Sequence, residues 1–377
     1  MAINIQSRLR VKLALLSIAL GVGLLCAELV LRLVWVPVVV INTETRGPHP
    51  DYGFAPLAGA TGVFARTEYA TPFSHTAQRL RGDTLLKAER SPATRARVMF
   101  LGDSFTYSIT TSPEDGFVGR LAARWPDVEM INTGCSGYGP REELAVLDKL
   151  GAVMKPDITV LTFFWNDVED ILRQEPTYAV DDEGKVCRTV PPDAPSDPLK
   201  LWPTTPTAGR SKWATYYSYE ILRELTVGAR HRHTNLARPQ QIQTPEAADE
   251  AWKLIDDQYR LIKLRADELG TRLIVVHIPD YSLINPASTV ATVKPFSIEV
   301  QARLADVCKR HSIQLFDALP HVKSAFTAAG GAAGMKKTPF YFETDRHLTV
   351  EGNRVISEYF ANVLGPLLPS AKSSAVR

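Results

Sequence analysis

The chain is short of several things that would have settled its class at once. Only four cysteines occur among 377 residues, at positions 26, 135, 187 and 308. Their scatter makes neither a disulfide framework nor a metal-ligand spacing, and one pairing, Cys135 with Cys187, stays open. Net charge is nearly absent: 43 Lys and Arg face 41 Asp and Glu, and no basic block runs long enough to track a nucleic-acid backbone. There is no internal repeat, which excludes solenoids and propellers. Long apolar runs are missing too, with one exception. Leu13 to Leu31 is almost wholly apolar and follows Arg8, Arg10 and Lys12.

That exception can cross a membrane core of about 30 Å at about 1.5 Å per helical residue. Positive charge on its amino side places that side in the cytoplasm and the remainder outside. A cleaved signal peptide competes with this reading, but no Ala-x-Ala pattern follows the run. Cys26 lacks the small preceding residue that a lipid-attachment site needs, and a buried core helix fits the basic flank poorly. The expected layout is a cytoplasmic 1–12, a transmembrane signal anchor over 13–35, and a linker and lead-in over 36–92. A catalytic-type domain then fills 93–366, with an insertion at 170–244 and a flexible tail at 367–377.

The lead-in carries Gly47-Pro48, His49-Pro50 and Ser91-Pro92 and is expected to be a linker and a partly ordered segment with two short strands. From Arg97 the pattern changes to strand alternating with helix. Val98–Leu101, Val128–Ile131, Ile158–Phe164, Arg272–Ile278 and Ile313–Phe316 are apolar runs of strand length. Between them fall helical patterns, including one that Thr244-Pro245-Glu246 opens and Gly270 closes. Alternation of this kind predicts a mainly parallel sheet of about five strands between two helical layers, a three-layer α/β sandwich. Prolines from Pro191 to Pro206 break the rhythm, and Trp202, Trp213, Tyr216, Tyr217 and Tyr219 lie in or after that stretch. An insertion there is expected to shape access to a site. Gly330, Gly331 and Gly334 read as a flexible loop.

The chemistry sits at strand ends. Val98 to Leu101 runs into Gly102-Asp103-Ser104, and ligands of open α/β sheets bind beyond the carboxyl ends of strands. A serine hydroxyl needs a base within hydrogen-bond reach before it can attack. His347 is the candidate, with Asp345 two residues before it to fix the imidazole tautomer. Glu343 is a reserve acid, and His277, His231 and His233 are rival bases. Asp103 reads as a turn residue that helps place Ser104. Asn132-Thr133-Gly134-Cys135-Ser136-Gly137 and Phe164-Trp165-Asn166-Asp167 each follow a strand-like run.

These four blocks, in this order, resemble the SGNH or GDSL hydrolase superfamily over roughly residues 97–365. The resemblance implies a flavodoxin-like SGNH hydrolase fold and a serine esterase working through an acyl-enzyme. It implies Ser104, His347 and Asp345 as catalytic residues, and an oxyanion hole from the Ser104 N–H, the Gly137 N–H and the Asn166 side-chain amide. Gly134 and Gly139 are alternative glycine donors. No cofactor and no metal is implied. Asp-x-His departs from the superfamily's common three-residue spacing and resembles its membrane-associated and polysaccharide-modifying branches. On that footing the substrate is an acylated carbohydrate of the envelope, with a lipid ester as the alternative, and the domain is periplasmic or extracellular. An O-acyltransferase would use the same residues. A catalytically silent module that binds polysaccharide or scaffolds a complex is the rival from another class. No nucleic-acid partner is expected, and oligomeric state is not legible.

Overall fold

The computed structural model describes residues 2–34, 45–65, 68–172, 176–189, 197–203, 244–285, 297–335, 339–343 and 345–370. The expected rivals His231 and His233, the aromatics from Trp213 to Tyr219, most of the 170–244 insertion and the tail beyond 370 lie outside them. The chain divides into two units. One contains Met1–Asn42, Val63–Ala70 and Gly209–Arg238, and its principal described element is helix α1 (Ala2–Val34). Within it, Arg8–Leu31 is long and apolar enough to cross a membrane, its most apolar stretch having a mean hydropathy of 2.3. Leu13, Leu16, Ile18, Leu20 and Leu24 all stand exposed on it.

The other unit, Thr43–Gly62, Thr71–Ala208 and Pro239–Arg377, carries the sheet. Four short strands precede it: β1 (Arg46–His49), β2 (Gly53–Pro56), β3 (Thr61–Ala65) and β4 (Ala70–Ser74). Then come β5 (Ala96–Leu101), α2 (Ser104–Tyr107), α3 (Phe117–Arg124), β6 (Val128–Asn132) and α4 (Pro140–Val146). The last continues through a π-helical turn, Leu147–Gly151, into α5 (Ala152–Met154). After β7 (Ile158–Phe163) and α6 (Asp167–Asp170), β8 (Tyr178–Val180) pairs with β9 (Val186–Arg188) as an antiparallel hairpin. The rest runs α7 (Pro245–Glu268), β10 (Arg272–His277), α8 (Tyr281–Ile284), α9 (Ser297–Arg310), β11 (Gln314–Asp317), α10 (Leu319–Ala328), α11 (Gly331–Met335) and α12 (Val350–Leu364).

Five strands form one sheet in the order β11-β10-β7-β5-β6, every neighbouring pair parallel. β5 and β7 are buried on both faces throughout, which is why both read as unbroken apolar runs. Met99 and Leu101 point into a core shared with Leu144, Leu147, Tyr259, Ile262 and Leu304, from the α4, α7 and α9 side. Val98 and Phe100 point the other way, onto Phe117, Leu121, Val355 and Phe360 of α3 and α12. Period-two alternation along β5 therefore builds the two outer layers, and the expected three-layer α/β architecture is the one observed.

Two local expectations are corrected. Residues 45–92 hold more than a linker with two strands. His49, Tyr52, His75, Arg79 and Arg81 are buried there, and Arg79 donates to the carbonyls of Gly47, Pro48 and Pro56. His75 takes the Tyr107 hydroxyl on Nε2 at 2.8 Å and offers Nδ1 to the Leu57 carbonyl at 3.0 Å, and burial pushes it down to about 4. Tyr107 ends α2, so the lead-in braces the helix that begins with Ser104. The low proline-region periodicity hid this because the segment is held by side chain to backbone bonds, which leave no apolar rhythm. The stretch from Gly330 to Gly334 is also no plain loop, since Gly331–Met335 is helical. All four cysteines are free, so the Cys135–Cys187 pairing is absent. The described part of the insertion is tied to the lead-in, through Arg188 to the Pro50 and Asp51 carbonyls and Trp202 N–H to the Ala77 carbonyl.

Candidate active site

Ser104 opens α2 directly beyond β5, where the chain must turn sharply out of the sheet. A Cβ on Gly102 would lie 2.0 Å from Thr162 Oγ1 and 2.1 Å from Thr106 Oγ1, so only glycine admits this exit. Asp103 caps the helix, its Oδ1 accepting from Phe105 N–H at 2.8 Å. That is the placing role read from sequence. Ser104 N–H is the first amide of the helix, and no described residue accepts from it.

At the far end of the chain, Phe342 N–H donates to the His347 carbonyl at 2.9 Å and Thr349 N–H to the Phe340 carbonyl at 2.9 Å. The loop so closed brings His347 Nε2 to 2.7 Å from Ser104 Oγ. On the other side of the ring, Nδ1 lies 2.5 Å from Asp345 Oδ1. Arg346 between them has a φ of 71°, in the left-handed region. That single residue curls the chain back and lets an acid only two positions away reach the imidazole. Glu343 is exposed. Phe105 packs against the imidazole with ring centroids 4.8 Å apart, fixing its plane.

The rival base His277 faces another way, its Nδ1 on Asp317 Oδ1 at 2.9 Å. Hydrogen bonds from His277, Leu319 N–H and Gln301 hold the Asp317 carboxyl below its usual range, although burial opposes them. Among the alternative glycines, Gly134 N–H is committed to Asn132 Oδ1 and Gly139 N–H to Glu142 Oε2, both at 2.9 Å. Gly137 adopts a φ of 87°, a conformation that a side chain would strain.

Asn166 follows β7 as expected, but its amide is occupied. Nδ2 donates to Asp103 Oδ2 at 2.9 Å and to Asp170 Oδ2 at 3.0 Å. Beyond it lie Glu143 and Asp167, 1% and 2% exposed. Burial, then the charges of Asp103, Glu142 and Asp170, push the Glu143 carboxyl well up. Burial, then Glu143, Asp103 and Asp170, do the same to Asp167. Asp103 is raised as well, by burial working against its bonds from Phe105 and Asn166 and the nearby His347. The sequence does not single out Asp170 or Glu143, and it offers Asp167 only as the end of the block that holds Asn166. The available signal was the four-residue step from Asn166 to Asp170, which one helical turn stacks on one face. Among the described residues, no three His, Cys, Asp or Glu side chains are grouped as metal ligands.

No family model and no curated protein matches this chain. Among solved structures it is similar to LAE5, an alpha/beta hydrolase from the metagenome of Lake Arreo, Spain, at 14% identity and a TM-score of 0.41, covering 73% of this chain and 98% of that one. The psychrotrophic esterase EstA of Pseudoalteromonas sp. gives 11% and 0.40, covering 72% and 98%. The acetyl xylan esterase AlAXEase gives 12% and 0.41, covering 71% and 99%. Likeness at this level carries no conclusion about activity, which has to come from the side chains themselves.

Proposed function

We propose that this chain is a serine acyl-ester hydrolase of the SGNH type. One observation carries the reading: Ser104 Oγ, His347 and Asp345 form an unbroken hydrogen-bonded chain, with steps of 2.7 and 2.5 Å. Asp345 accepts from Nδ1–H, which leaves Nε2 bare and able to take the Ser104 proton. The Oγ then bonds to the ester's carbonyl carbon and the carbonyl electrons move onto oxygen. Ser104 N–H, Gly137 N–H and the Asn166 amide are the proposed donors to that oxyanion. Collapse of the tetrahedral species breaks the carbon–oxygen bond to the leaving alcohol, which departs with the proton from Nε2. Water, or the hydroxyl of an acceptor, then removes the acyl group by the reverse route. Transfer and hydrolysis share every step up to this point.

The N-terminal helix supports a membrane-anchored protein with the catalytic unit outside the cytoplasm, where O-acetyl groups of envelope carbohydrate are the proposed esters. A signal sequence satisfies the same length and apolarity, so retention in membranes after a carbonate wash is the discriminating measurement. For the activity, a fluorophosphonate should label the full chain and p-nitrophenyl acetate should be turned over. Both should vanish in Ser104→Ala with the fold unchanged. Equal labelling of the mutant would refute the assignment.

A further inference from the structure

We propose that Asp170 occupies the oxyanion donor of the resting protein, holding the Asn166 amide hydrogen that an ester's developing negative charge must win from it. What the hydrogen is for rests on the esterase reading; who holds it now is read from the geometry. A side-chain amide has two N–H hydrogens. Here Nδ2 serves two carboxylate oxygens, Asp103 Oδ2 at 2.9 Å and Asp170 Oδ2 at 3.0 Å, so none is left over. Turning the amide over would set its carbonyl oxygen against both carboxylates, so charge fixes the orientation. The carbonyl, Oδ1, is buried and has no partner among the described residues, which shows how completely the acids dictate the pose.

The two holders are not equivalent. Asp103 is 2% exposed and also receives Phe105 N–H, so it is built into the start of α2. Asp170 is less buried and reaches back one turn from the end of the four-residue helix α6. It is the less enclosed of the two holders, while Asp103 keeps the amide aimed. A charge-assisted bond is stronger than a neutral one, so a ground-state carbonyl oxygen will not displace Asp170. An oxyanion, itself charged, competes on equal terms. Asp170 therefore suppresses donation to substrate and is overcome only as the tetrahedral state forms, at a cost in rate.

Removing the competitor should speed the reaction. Asp170→Ala should raise kcat/KM for p-nitrophenyl acetate about 3–10-fold, and the isosteric Asp170→Asn should raise it by less. Neither change should have an effect in an Asn166→Ala background. A fall in both single variants, or a gain that persists without Asn166, overturns the proposal. A second readout needs no turnover. In full-length protein labelled with 15N-asparagine, both Asn166 side-chain hydrogens should resonate downfield, and Asp170→Ala should move one of them upfield and leave the other. Fluorophosphonate adduct formation at Ser104 should shift that same hydrogen in the unmutated chain. A chain that forms no adduct fails the esterase reading. The contact is then judged by the unliganded spectra, where resonances unchanged by Asp170→Ala overturn it.

Discussion

The two flanks of Ser104 are built in opposite ways. On the His347 flank, donors and acceptors alternate: hydroxyl, imidazole and carboxylate follow one another, each with what its neighbour needs. On the Asn166 flank, acceptors crowd together. Asp103 and Asp170 take the two hydrogens of Asn166, Asp103 also takes Phe105 N–H and Asp167 takes Phe164 N–H, with Glu143 buried beside them. An oxygen of Glu143 and one of Asp167 are buried without a partner among the described residues. The first flank can move a proton along a line. The second gathers acids whose burial and mutual repulsion disfavour their charged forms, beside the place where the proposed reaction develops negative charge. On the proposed reaction, proton relay and oxyanion stabilisation would be separately built, the second under restraint from Asp170.

The largest effects should come from breaking the first flank. His347→Ala removes the base, and Asp345→Asn presents the wrong partner to Nδ1, so each should lower kcat about 10⁴-fold. Glu343→Gln should remain near the unmutated rate, because Nδ1 of the imidazole is bonded to Asp345. Steady-state hydrolysis of p-nitrophenyl acetate decides it. Near-normal turnover in Asp345→Asn would reduce the flank to a Ser–His pair.

Smaller losses are expected on the second flank. Asn166→Ala should lower kcat about 10–10²-fold with little change in KM, less than an unhindered oxyanion donor gives, because Asp170 already offsets part of its benefit. In an Asp170→Ala background the same truncation should cost about 10²–10³-fold. Equal penalties in both backgrounds would mean that the two flanks do not differ in the way described.

Sequence exposed one flank and concealed the other for a physical reason. Ser104, Asp345 and His347 sit in short contiguous motifs at element ends, where apolar runs stop and polar residues begin. The central strands β5, β7 and β10 were legible for a related reason: burial on both faces writes itself as a nearly continuous apolar run. The buried acids carry no such mark. Glu143 belongs to α4, where acidic residues are ordinary in a first turn, and Asp167 and Asp170 look like solvated helix starts. Only the packing of both α4 and α6 against α7 makes them neighbours. The lead-in was underread in the same way, since Arg79 and His75 fix it by bonds to carbonyls at long sequence separation.

The smallest effect tests whether the crowded carboxyls carry protons. Glu143 and Asp167 have ordinary values of 4.5 and 3.8, and burial raises both in the folded protein. The native state therefore binds these protons more tightly than the unfolded chain does. Their contribution to stability is fully present below about pH 4 and is lost as pH rises through the raised folded values. Glu143→Gln and Asp167→Asn replace a titrating acid by a neutral amide of the same shape, and the Asn oxygen can still accept from Phe164 N–H, as Asp167 does at 3.1 Å. Thermal unfolding followed by tryptophan fluorescence should then show each variant within about 1 °C of the unmutated chain at pH 5, and about 2–4 °C above it at pH 9. A protonated Glu143 is also a donor, which would ease the shortage that separates the two flanks. If Glu143→Gln instead melts lower at pH 9 than at pH 5, relative to the unmutated chain, the carboxylate is ionised and stabilised where it lies. The second flank would then be charged outright, and release of Asn166 by Asp170 would have to work against a larger negative field.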